Sequence, residues 1–150
     1  LVGSEMCIRD RIWILKMTSI FTKIIQGEIP CEKIIETDSE IAFLDIMPCA
    51  EGHTLVIPKL EVKRLEDLPE SEALSLMLTM QHVSKAISDA YDGIDYNLIL
   101  NNGSNAGQEV EHVHFHVLPR PQGSPRPFHQ RVNYAEGEMQ EVGAKIRNCL

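Results

Sequence analysis

The sequence predicts a single α+β domain, and three observations predict it. Short β-branched or alternating segments recur between polar and glycine turns, one long stretch repeats its apolar residues every three to four positions, and no repeat or low-complexity run interrupts the pattern. The expected inventory is about five strands, one long helix and one or two shorter helices. At 150 residues with 43% hydrophobic residues the chain is long enough for one real core.

The elements follow from local chemistry. Ser19 is placed to cap a short helix running through Gln26 and stopping at Gly27. "KIIET" and "IAFLDI" read as two strands joined by a polar "DSE" turn, and "HTLVIP", His53 to Pro58, as a third. Asp67 with Glu70 reads as a capping box, Pro69 suits the first helical turn, and Leu76, Met80, Val83, Ile87 and Tyr91 form the stripe of a long helix. That stripe is most simply core. "DGID" has turn chemistry, and "YNLILNN" and "HVHFHVLP" are two more strands. Pro119, Pro121, Pro125 and Pro127 are then expected to break regular structure before a final amphipathic helix carrying Met139, Val142, Ile146 and Cys149.

Residues 1–16, LVGSEMCIRDRIWILK, mix charges with an apolar run too short for a signal-peptide core or a membrane span, and read as a non-native or disordered leader. Patterned sequence begins after Met17, so 17–150 is taken as the single domain. The formal charge of -8, one unit more negative without the leader, argues against a sequence-independent grip on DNA or RNA. A single phosphate remains within reach, because backbone amides and a few side chains hold one without a basic face. Cys7, Cys31, Cys49 and Cys149 lack CxxC spacing and read as reduced thiols of a cytoplasmic protein.

Half of the six histidines stand at alternate positions in "HVHFHVLPR". On a strand, His112, His114 and His116 share one side and Val113, Phe115 and Val117 the other, with the rings roughly 6.5 Å apart from the strand rise. Burying such a row unpaired costs a few kcal/mol per group. Three incidental histidines in register are therefore a weaker reading than a functional row. A metal site is one possibility, with His53 as a further ligand, but no second HxH or nearby Cys supports it. Nucleophilic catalysis is the other: one imidazole attacks an electrophile while its neighbours hold tautomer, orientation and charge. "NNGSNAGQEV", Asn101 to Val110, favours the second, since its glycines allow a loop whose amides turn inward around an anion.

The motif His112-Val113-His114-Phe115-His116-Val117-Leu118 resembles the histidine triad (HIT) family, whose signature alternates histidine with apolar residues. "FTKIIQGEIP", "AFLDIMPCAEGHTLVIPK" and "NNGSNAGQEVEHVHFHVLPR" resemble the family's successive blocks in order, so the likeness covers about residues 18–121. It implies an α+β HIT-like fold with an antiparallel sheet, a homodimer joined edge to edge, and nucleotide cleavage at the α-phosphate without a cofactor or obligatory metal. By position, His114 is the nucleophile that forms a nucleotidyl-histidine. His112 and His116 orient it and contact phosphate, and His53 stands near the leaving group. Asn101 positions the nucleophile, while Gly107, Gln108 and Glu109 form the phosphate loop. Asp45 is the ribose ligand, and Ile46, Phe21, Ile24 and Phe43 form the base pocket.

The implied substrates are purine nucleotides, phosphoramidates or dinucleoside polyphosphates, with a nucleotide-binding interaction protein of little turnover as the alternative. Physical chemistry agrees with the catalytic roles: imidazole titrates near neutrality, and loop amides with flanking imidazolium charge would stabilise the phosphoryl oxygens. Three departures stand out. Glu109 replaces the Ser or Thr of the phosphoramidase branch, Ser19 and Thr22 stand where some bacterial members carry a zinc-binding CxxC, and "LPRPQG" resembles the bacterial and dinucleoside-polyphosphate-cleaving branches.

Overall fold

The computed structural model describes residues 18–124 and 131–150. The expected leader, residues 1–16, and the expected breaks at Pro125 and Pro127 lie outside the described residues. The chain runs through α1 (Ile20–Ile25), β1 (Lys33–Glu36), β2 (Glu40–Leu44), β3 (Thr54–Pro58), α2 (Glu70–Ala90), β4 (Asp95–Leu100), β5 (Phe115–Arg120) and α3 (Glu138–Arg147). The five strands form one antiparallel sheet in the order β1-β2-β3-β5-β4, as the sequence implied. α2 carries the chain from β3 to the far edge strand, and β5 then returns between them.

The sheet is covered unequally. Alternation sends Ala42, Leu44, Val56, Val113 and Val117 to one face, where they meet Leu76, Met80, Val83 and Ile87 of α2 and Val142 and Ile146 of α3. It sends Ile41, Phe43, Leu55 and Ile57 to the other, where α1 contributes Phe21. The long-helix stripe is thus core, as expected.

Three local expectations are corrected. α2 begins at Glu70 with Pro69 as its N-cap and no side-chain cap, while Asp67 ends a 3-10 turn, Leu65–Asp67. Pro69 is the cause, because its ring excludes the residue before it from helical geometry, and Leu68 is accordingly extended at φ -81°, ψ 129°. The last strand starts at Phe115, not His112. Just before it, Val113 N–H donates to Val62 O at 2.8 Å and the His112 carbonyl is taken by the His114 ring, so these residues do not join the ladder. Pro119 lies inside β5. β3 pairs only as far as Val117, so beyond it β5 is flanked by β4 alone and a missing N–H is tolerated.

Candidate active site

The four histidines are ordered by two sets of directed hydrogen bonds, and the backbone groups in them settle the tautomers. His112 Nε2 faces the Pro58 carbonyl at 2.8 Å, so Nε2 carries the proton and Nδ1 accepts from Ser19 Oγ at 2.7 Å. His114 Nδ1 faces the His112 carbonyl at 2.6 Å, so Nδ1 carries the proton and Nε2 is left with a bare lone pair. His53 Nδ1 accepts from Cys49 N–H at 3.1 Å, so His53 Nε2–H donates to His116 Nδ1 at 2.9 Å. His116 then presents Nε2–H. The 114 and 116 rings lie edge to face, 5.0 Å between centroids.

His112, which the sequence set in a row with the other two, is wholly buried and turned toward Ser19 and Pro58. Both of its ring nitrogens are engaged there, and its backbone carbonyl accepts from the His114 ring. The expected imidazolium charge is also corrected. Burial lowers the proton affinity of all four rings, and His116, flanked by His53 and His114, falls to about 4. The rings are neutral at pH 7, so N–H dipoles replace full charges.

The Asn101–Val110 loop turns where Gly103 and Gly107 adopt φ of 91° and 90°, a backbone region glycine enters without strain. Its amides are less available than the sequence implied: Gly107 N–H donates to Ser104 O, and Gln108 N–H to Gly103 O. The buried Gln108 side chain bridges Gly103 N–H and Lys63 O, each at 2.7 Å, so it holds the loop rather than a ligand. Among the described residues the Glu109 amide donates to no protein acceptor, and its carboxylate is exposed. Asn101 Nδ2 reaches Gly107 O at 3.5 Å and ties the strand end to the loop. On the opposite side, Asp45 Oδ2 lies 3.8 Å from His53 Nε2. Phe21 packs its ring against His114 and Phe43, with Ile24 beside them, whereas Ile46 stands at the rim, 74% exposed.

A HIT domain family model matches residues 26–123. The chain belongs to the HIT family. It is 43% identical over 105 residues to adenosine 5'-monophosphoramidase hnt1 of Schizosaccharomyces pombe, covering 70% of this chain and 76% of that protein. It is 41% identical over 106 residues to adenylylsulfatase HINT3 of Arabidopsis thaliana, covering 71% of this chain and 54% of the other. The crystal structure of a Hit-like protein from Bartonella henselae superposes with a TM-score of 0.79 at 35% identity, covering 89% of this chain and 97% of that one. Relatives from bacteria, archaea and fungi match at similar identity, so no branch of the family is singled out.

Within this HIT protein, Asp45, His53 and His116 bring three potential metal-ligand atoms within 4.8 Å of one another. The tautomers oppose that use. His53 Nδ1 is occupied by the Cys49 amide, which leaves Nε2 protonated and without a lone pair for a metal. Ser19 and Thr22 are engaged in a polar cluster: Ser19 Oγ accepts from Thr22 N–H at 3.0 Å, and Ser19 N–H donates to Glu61 at 2.6 Å. Sequence reasoning found Ser19 as a helix cap and missed it as the partner of His112, 93 residues away. Pro58 and Cys49, which act through backbone atoms, carried no sequence signal at all.

Proposed function

We propose that this HIT protein is a cytoplasmic hydrolase that cleaves purine nucleotides at the α-phosphate through a covalent nucleotidyl-His114. The observation that carries the reading is the bond from His114 Nδ1–H to the His112 carbonyl, which fixes the tautomer so that the lone pair sits on Nε2, while burial favours the neutral ring. In the first step Nε2 forms a bond to the α-phosphorus as the bond to the leaving group breaks, and that group departs with the electron pair. An amine leaving group also takes a proton from solvent. The ring becomes cationic, and its Nδ1–H donates more strongly to the carbonyl. In the second step water attacks phosphorus, releases a proton, and returns the electron pair to Nε2.

His116 Nε2–H and the Glu109 amide are the donors for the phosphoryl oxygens, and Asp45 is the acceptor for ribose hydroxyls. Phe21, with Ile24 and Phe43 behind it and Ile46 at the rim, forms the apolar side for the base. No cofactor or metal enters this scheme. The relatives' names, phosphoramidase and adenylylsulfatase, support an adenosine nucleotide as substrate. A homodimer is supported by the bare edge of β4, where Tyr96 and Leu98 are exposed, and by Leu74, Met77 and Leu78 exposed at helical spacing on α2; sedimentation at micromolar concentration tests it. Among the described residues no helix is long and apolar enough to cross a membrane.

His114→Ala should lower AMP release by at least about 10⁴-fold while AMP still binds. A wild type that releases no AMP from adenosine phosphoramidate, diadenosine tetraphosphate or adenylyl sulfate would overturn the hydrolase in favour of a nucleotide-binding interaction protein.

A further inference from the structure

Glu109 poses a problem for a phosphate site, because its carboxylate and that of Asp45 both act electrostatically on His114. Two like charges beside the nucleophile oppose an incoming polyanion. The fold supplies an answer from a segment the sequence reading passed over. Arg131 Nη2 lies 3.9 Å from Glu109 Oε1, while Nη1 donates to Met47 Sδ at 2.7 Å. Met47 follows Asp45 closely in the chain, and its amide donates to Asp45 Oδ1 at 2.9 Å. The guanidinium therefore joins the β2–β3 loop, which carries Asp45, to the loop that carries Glu109.

Its position is built into the backbone. Val132 N–H donates to Pro48 O at 2.8 Å, and Tyr134 Oη accepts from Gly52 N–H at 3.0 Å. Both bonds tie the Arg131 segment to the same loop whose Cys49 amide orients His53. A guanidinium has five N–H donors, and among the described residues this one meets a single sulfur and a single carboxylate oxygen at ion-pair distance. Arg131 is 51% exposed at its side chain, so the guanidinium is within reach of a ligand from solvent.

We propose that Arg131 is a specificity-determining residue that favours substrates whose leaving group is itself an anion, a phosphate, polyphosphate or sulfate, over those that release a neutral amine, with Glu109 holding it in place until the substrate arrives. The inference rests on the α-phosphate cleavage proposed above. A bidentate guanidinium suits an oxyanion that gains negative charge as its bond to phosphorus breaks, while an amine leaving group gains none. The loose Glu109 pair also suits exchange, since a 3.9 Å contact between exposed groups is weakly held.

The test compares wild type, Arg131→Gln, Arg131→Lys and Glu109→Gln on diadenosine tetraphosphate, adenylyl sulfate and adenosine phosphoramidate. Arg131→Gln should lower kcat/KM about 10- to 100-fold for the two anionic leaving groups and leave the phosphoramidate within about twofold. Arg131→Lys should recover part of the loss, and added salt should narrow the gap between substrates. Glu109→Gln should raise the anionic reactions a few-fold by releasing the guanidinium. An equal loss on all three substrates for Arg131→Gln overturns the proposal while leaving the hydrolase reading intact. Failure of the wild type on all three overturns the hydrolase reading itself.

Discussion

On the face of the sheet beneath α2 and α3, Val56, Val113 and Val117 meet Leu76, Met80, Val83 and Ile87 in contacts without direction. On the opposite face, side chains from the same stretch of chain pack differently: His114 meets the Phe21 ring edge to face, while His112 and His116 meet Ser19 and His53 through hydrogen bonds that each specify a proton's location. One alternating sequence supplies both. The first face is held by apolar area removed from water, which tolerates modest changes in shape and yields stability. The second has an apolar cluster of its own, but the histidines set beside it are held by a few atoms whose loss should leave the chain folded and the rings misaligned. Stability and activity should therefore separate by face.

The largest separation is expected at Ile87, wholly buried on α2. Ile87→Ala should cost about 2–5 kcal/mol, read as a shift in the urea midpoint, with kcat of the folded fraction within about twofold of wild type. A fall in kcat of the folded protein comparable to that of the His114 variant would break the comparison.

Acid should probe the other face next. A histidine whose proton affinity is lowered by folding binds protons more readily when unfolded, so its burial costs nothing well above pH 6.5 and destabilises as pH falls from there toward the folded value. For His116 that window extends down to about 4. Each ring steepens the loss by up to about 1.4 kcal/mol per pH unit. Urea midpoints across this range should fall less steeply for His116→Asn than for wild type, and parallel slopes would show that the ring is not buried neutral.

Smallest in stability is Ser19→Ala, which removes a helix cap and the donor to His112. About 1 kcal/mol should be lost from the urea-derived stability, against a fall of roughly 10-fold in kcat as the 112–114 carbonyl link loosens. Ser19→Thr keeps the hydroxyl and should restore most of the activity. If the alanine variant loses stability but no kcat, the Ser19–His112 bond is a cap accessory and the two faces are less distinct than drawn.

Much of this was legible in local pattern. The α+β class, the five strands, the α2 stripe and the capping Ser19 depend on neighbours within a turn or a strand, where periodicity and propensity act. The errors arose where a group's fate depended on a remote or backbone partner. "HVHFHV" promised a paired strand from its first histidine, but the His112 carbonyl is claimed by the His114 ring. The flanking rings were expected to carry charge, yet burial beneath α1 and beside His53 keeps them neutral. Gly107 and Gln108 were expected to offer amides to an anion, and the loop uses those amides itself. Arg131 drew no notice because nothing in "HQRVNY" hints at Glu109 or Met47.

By itself the sequence determined which side chains face together along each element and that three histidines share one side of their segment, because alternation along a strand and the 3.6-residue helical turn are properties of the local backbone. Only the tertiary structure decided which nitrogen of each ring holds a proton, which amides the loop itself uses and which cation stands beside Glu109. Those outcomes depend on hydrogen-bond acceptors and burial brought from up to 93 residues away, distances in sequence that no local pattern encodes.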